Sequence, residues 1–66
     1  MKDALKALRL RAGLSQEEVA AAMNIQQSTV SMWENGTNMP RAALLPILAE
    51  LYGCSIDDLY NERKEA

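Results

Sequence analysis

Hydrophobic positions along the chain fall into short runs at helical spacing, separated by polar residues of particular kinds. Leu5, Leu8, Arg9 and Ala12 recur at i, i+3, i+4 and i+7, so they share one face of a helix from about Lys2 to Ala12. Gly13 ends that helix. Ser15 is a good N-cap for a second helix starting at about Gln16, and Glu18 stands three residues on, where it completes a capping box. Leu14 and Val19 have the spacing of a hydrophobic staple across the same cap. Val19, Ala20 and Met23 then face inward. Asn24 suits a turn that needs a positive φ, and Ile25 is expected to plug the space beneath it. A third helix from about Gln26 to Asn35 turns Val30 and Trp33 inward, and Gly36 follows as its left-handed end.

The second half of the chain reads in the same way. Residues Thr37 to Arg41 make an irregular polar loop. Pro46 fits only the first turn of a helix, where no N–H is needed, so helix four is predicted from about Leu45 to Tyr52, with Ala42 to Leu44 as a separate turn. Ile47, Leu48, Leu51 and Tyr52 form its apolar side, and Gly53 closes it. Ser55 caps a fifth helix, with Asp58 at the capping-box position as a shorter substitute for Glu. Ile56, Leu59 and Tyr60 give that helix a buried or subunit-facing side. Leu10 falls off the stripe of helix one. Met1, Lys2 and about Arg63 to Ala66 are expected to fray. The pattern as a whole predicts an all-α fold in a single domain over 1–66, with a helix-turn-helix at about 15–35.

Helix three carries the candidate chemistry. Gln27, Ser28, Ser31, Met32 and Asn35 recur on the face opposite Val30 and Trp33. From Gln26 to Trp33 no residue is charged, whereas a solvated helix face usually carries Lys and Glu. Uncharged polar side chains suit base edges. Gln pairs with adenine N6 and N7, Ser bonds to either kind of edge, and an apolar side chain such as Met meets the thymine methyl. Gln27, Ser28, Ser31 and Met32 are therefore the candidate base-reading residues, and the helix over about 26–35 the candidate recognition helix.

Leu14-Ser15-Gln16, Val19-Ala20, Glu34-Asn35-Gly36 and Pro40 stand in order and at the right intervals to resemble the repressor/Cro-type, or XRE-like, helix-turn-helix family. The resemblance covers about Leu5 to Tyr60. It implies a five-helix, lambda-repressor-like domain that binds operator DNA as a dimer. It also implies a pair between Arg9 and Glu34, which answers a physical need, since an Arg on an apolar stripe is costly without a partner. Family positions for contact with the DNA backbone fall on Gln16, Asn35, Thr37, Asn38 and Arg41; ordinary turn chemistry is the alternative for the loop residues among them. The sequence departs from the family in having Asn24 where Gly is usual, Gln26 where Ser or Thr usually caps, and no Arg or Lys on the recognition face.

Composition narrows the picture. Sixty-six residues, 48% of them hydrophobic, make one small core. Trp33, Tyr52 and Tyr60 are the only aromatic residues, and Trp33 reads as a core anchor. No apolar run approaches the ~20 residues of a membrane span, and no signal-peptide pattern is present, so a cytoplasmic location is expected. With no His and one Cys, no zinc site or internal disulfide is expected, nor any cofactor or small-molecule ligand. Cys54 reads as a buried thiol.

Net charge is −2 and the pI about 4.9, which is unusual for a partner of phosphate. The charge is unevenly placed, however. Residues 1–12 carry a local +3 and residues 50–66 a local −3, so the acidic end can face away from DNA. Arg41, with Arg11 or Lys6, is the main candidate for phosphate contact. The sequence thus predicts a DNA-binding regulator, a repressor acting by operator occupancy. Its homodimer is expected to be weak without DNA and to join through Tyr52, Leu59 and Tyr60. A protein-interaction module of antitoxin or anti-regulator type, with weak DNA binding, is the alternative. An enzyme is not expected, because no nucleophile has a base and no Gly-rich loop can cradle phosphate.

Overall fold

Helix ends in this chain are set by short-range chemistry, and the fold follows from where they fall. The computed structural model describes residues 1–61. Its helices are α1 (Lys2–Arg11), α2 (Gln16–Met23), α3 (Gln27–Asn35), α4 (Leu45–Tyr52) and α5 (Ile56–Tyr60), with a single 3₁₀ turn at Ala42–Leu44 leading into α4. The fraying expected of residues 63–66 lies outside the described residues. At the other end Lys2 is already helical, with Met1 as the cap residue.

Both capping boxes form. Ser15 Oγ accepts from the Glu18 N–H at 3.0 Å while the Ser15 N–H donates to Glu18 Oε1 at 2.8 Å. The shorter Asp58 makes the same reciprocal pair with Ser55, both bonds at 3.1 Å. Helices α1, α2 and α4 stop alike. A left-handed residue is followed by a backbone bond reaching back five positions: Leu14 N to Arg9 O, Ile25 N to Ala20 O, and Cys54 N to Ala49 O. These bonds satisfy carbonyls that the helix end would orphan. The residue after each left-handed position is half-buried against the core, which ties each stop to tertiary packing. At α2 the left-handed residue is Asn24, at φ 58°.

One hydrophobic cluster draws on all five helices. Leu5, Val19, Val30, Leu48 and Leu59 are its most buried side chains, with Trp33 and Tyr52 as its rings. The helix α2 packs on α3, and α1 runs behind both, touching α3, α4 and α5. Helix α1 is thus the strut joining the helix-turn-helix to the C-terminal pair.

Several expected positions differ. Ala12 is exposed because α1 ends at Arg11, and Ala4 occupies the core in the first turn instead. Ile47 is exposed; the inward face of α4 is Leu45, Leu48, Ala49 and Tyr52. The more consequential correction concerns the expected subunit face. Leu59 is fully buried and Tyr52 is 3% exposed, both in the chain's own core. A partner cannot reach them without opening the fold. Tyr60 alone of the three is exposed, with Ile56 one turn before it on the same side of α5.

Candidate nucleic-acid interface

Two faces of α3 are cleanly divided. Val30 and Trp33 lie in the core, while Gln27 and Ser28 are exposed and Ser31 and Met32 half-buried on the other side. Gln26 is the N-cap residue rather than the first helical one, and its side chain makes no capping bond. The uncharged stripe is therefore present on the surface, with Gln27 at its start.

Behind this face lies a chain of side-chain hydrogen bonds that begins in the core. Arg9 is a charged residue buried in the core, and the side chain of its partner Glu34 is buried with it. Its Nε donates to Glu34 Oε2 at 2.7 Å and its Nη2 to Glu34 Oε1 at 3.0 Å, a two-pronged pair between side chains 8% and 5% exposed. Its Nη1 donates to the Leu14 carbonyl at 2.8 Å, in the loop between α1 and α2. The hydrogen bond to Glu34 raises the Arg9 guanidinium above its ordinary value, against the opposing effect of burial. Glu34 Oε1 also accepts from Gln16 Nε2 at 3.1 Å, and Gln16 Oε1 accepts from Gln27 Nε2 at 2.8 Å. Four side chains from three helices are thereby linked from the core to the surface. The family resemblance gave Arg9 with Glu34, but neither bond of Gln16; those depend on how α2 crosses α3.

The loop after α3 shows how its polar residues are engaged. The N–H groups of Gly36, Thr37 and Asn38 all turn to the Met32 carbonyl. Asn35 Oδ1 accepts from the Thr37 N–H at 2.9 Å and the Thr37 hydroxyl at 2.6 Å, which is the turn chemistry weighed for these residues. Asn38 Nδ2 donates to Met32 Sδ at 3.6 Å, so Met32 is partly held from behind. Arg41 is exposed at the start of the 3₁₀ turn. Gly36 has φ +87°, and a Cβ there would sit 2.9 Å from Lys2 Cδ. The loop therefore needs glycine for its left-handed conformation, while the flexible, half-exposed Lys2 side chain could move aside.

That contact identifies a cation the sequence reading overlooked. Lys2 comes from the far end of α1 and lies against the loop that follows α3. Its amino group also pairs with Asp3 at 3.4 Å, half-exposed. Arg11 lies elsewhere, exposed at the last residue of α1, the opposite end of that helix from Lys2. Among the described residues no helix is long and apolar enough to cross a membrane, and no cluster of three acidic, Cys or His residues could hold a metal.

Comparison with known proteins agrees with this arrangement. The family model described as helix-turn-helix matches residues 5–59. The chain is 33% identical over 58 residues to the cryptic phage CTXphi transcriptional repressor RstR of Vibrio cholerae, an alignment covering 88% of this chain and 52% of that protein. It is 37% identical over 68 residues to the HTH-type transcriptional regulator YqaF of Bacillus subtilis (strain 168), covering 97% of this chain and 90% of that one. The chain thus spans about half the length of the Vibrio relative. No solved structure matches it at comparable significance. Two helices crossing at a left-handed Asn24, an outward uncharged stripe on the second, an inward Arg9–Glu34 brace and a match over most of the chain lead to one conclusion: the chain belongs to the repressor/Cro-type, XRE-like helix-turn-helix family of DNA-binding domains.

Proposed function

We propose that the chain is a sequence-specific repressor that acts in the cytoplasm by occupying a two-fold operator as a homodimer. The observation that carries this reading is the outward face of α3. It is polar, uncharged and exposed at Gln27 and Ser28, and Gln27 is braced by Gln16. A helix face so arranged fits the major groove, where bases offer donors, acceptors and a methyl group. In this reading Gln27, Ser28, Ser31 and Met32 meet base edges. Gln16, Asn35, Thr37, Asn38 and Arg41 meet the sugar–phosphate backbone, joined by Lys2. The repressor named among the relatives supports the sign of regulation. The dimer face rests on Tyr60 and Ile56, which are the exposed apolar residues of α5. A face that small holds two subunits weakly, and the DNA itself supplies the remaining alignment.

The test is selection of operator sequence from random duplex DNA, repeated with Gln27→Ala. The variant is expected to bind the selected operator more weakly by roughly 1–3 kcal/mol and to lose base preference at one position in each half-site. Recovery of the same motif by the variant would remove Gln27 from the reading surface. Failure of the unmodified protein to select any sequence would sink the proposal.

A further inference from the structure

A carboxylate can only accept hydrogen bonds, whereas a side-chain amide has one accepting end and one donating end. That asymmetry gives the chain of bonds from core to surface a direction. Glu34 Oε1 draws the Nε2 end of Gln16 toward itself. The Oε1 end of Gln16 is then turned to the start of α3, where it draws the Nε2 end of Gln27. With one Nε2 hydrogen engaged, the exposed Gln27 keeps its carbonyl and one N–H to offer a base. An outward acceptor beside a single donor matches adenine, which offers N6–H and N7, and opposes guanine, which offers acceptors at both O6 and N7. An unconstrained Gln could instead turn both of its N–H groups to guanine.

We propose that Glu34, which meets no DNA itself, sets the base preference of Gln27 by fixing the direction of two side-chain amides in series. Glu34 is thus a positioning residue for specificity as well as half of an ion pair. The inference rests on the assignment of Gln27 to base reading, and it adds a cause for the base that Gln27 selects.

Two variants break the series at different points. Gln16→Met removes the middle amide and leaves Arg9 and Glu34 paired. Glu34→Gln replaces the acceptor-only group with an amide that works in either direction. Binding is measured on duplexes carrying adenine or guanine at the position that Gln27→Ala relaxes, with folding of each variant checked by circular dichroism. The expected result is a preference for adenine in the unmodified protein and a loss of about fivefold or more of that preference in both variants, by gain of affinity for guanine. A change in stability alone weakens binding to both duplexes together and leaves their ratio alone. An unchanged ratio in both variants, with the position still relaxed by Gln27→Ala, would overturn the inference and leave the repressor reading standing. So would guanine preference in the unmodified protein. Side-chain amide resonances of the DNA-free protein provide an arm independent of DNA. Those of Gln27 are expected to be shifted from free glutamine and to return toward it in Gln16→Met; free-like resonances in the unmodified protein would overturn the inference directly.

Discussion

Replacing Arg9 by Met removes three hydrogen bonds at once and leaves their acceptors behind. The Glu34 carboxylate, only 5% exposed, would keep a single donor, Gln16 Nε2, in place of three. The Leu14 carbonyl would lose its Arg9 donor as well. Breaking a buried ion pair by removing one partner costs roughly 3–5 kcal/mol, most of it the penalty on the charge left unpaired. A chain of 66 residues has a total stability of roughly 3–10 kcal/mol at typical values per residue. Arg9→Met is therefore expected to lose from a third to all of its stability and to melt at least about 12 °C lower. The assay is urea and thermal unfolding followed by far-ultraviolet circular dichroism, with the double variant Arg9→Met/Glu34→Leu alongside. Because apolar side chains of similar volume often replace a buried pair with little loss, the double variant should recover much of the deficit. Recovery will be incomplete, since the Leu14 carbonyl still lacks a donor, at about 1–3 kcal/mol. A loss below about 1 kcal/mol in the single variant is the behaviour of a surface ion pair and would refute the reasoning. A double variant no more stable than the single would show that the unpaired carboxylate is not the source of the cost.

Other expectations follow from the same geometry. With Arg41 and Lys2 as the phosphate contacts of each subunit, log K against log[salt] for the operator complex should have a slope of magnitude about 4, and a slope near ~10 would mean that most phosphate contacts lie elsewhere. Burial, reinforced by the charge of Glu34 and opposed by Arg9, pushes the Tyr52 phenol up to about 12 from 10.0. The folded state thus holds that proton more tightly than the unfolded chain. Its contribution, roughly 2–3 kcal/mol, is fully present below pH ~10 and is lost as pH rises toward the folded value. Urea unfolding at increasing alkaline pH should show this loss in the unmodified protein and not in Tyr52→Phe; parallel profiles would contradict it. A weak dimer aligned by DNA should bind two half-sites cooperatively, and separating them by about five further base pairs, half a helical turn, should abolish cooperativity in a gel-shift titration. Equal cooperativity at both spacings would argue for a rigid dimer formed beforehand.

What could be read from the sequence was chemistry of short range. Ser15 with Glu18, Ser55 with Asp58, Asn24 after α2 and Pro46 at the start of α4 act on backbone groups within a few residues of themselves, so their consequences are local and appear where expected. The Arg9–Glu34 pair spans 25 positions and was still legible, because a charge on an apolar stripe demands a partner and the family resemblance pointed to Glu34. Tyr52 and Leu59 were not legible in the same way. Apolarity says that a side chain will be covered, and gives no indication of whether its own chain or another does the covering. In this small domain α5 packs back on α1 and α4, so the chain covers them itself. Lys2 beside Gly36 and Gln16 beside Gln27 were missed for a related reason. Both depend on the angle at which two helices cross, and a polar side chain on a helix surface carries no periodic signal of the neighbour it will meet.

The division of α3 into two faces bears on how such a protein can diverge. Ser28 lies on the outer face, away from Val30 and Trp33, so if that face reads bases as proposed, an exchange there alters the reading without disturbing what holds the helix. A lineage can drift from one operator to another through that position with its stability intact. Gln27 has less latitude. It is bonded to Gln16, Gln16 to Glu34, and Glu34 to the residue that braces the strut. On the proposed reading, a change at Gln27 alters one partner on the DNA and another inside the protein. New preferences at that base pair are therefore expected to arise by paired replacement, with Gln16 changing in step, and more slowly than those at the neighbouring serine.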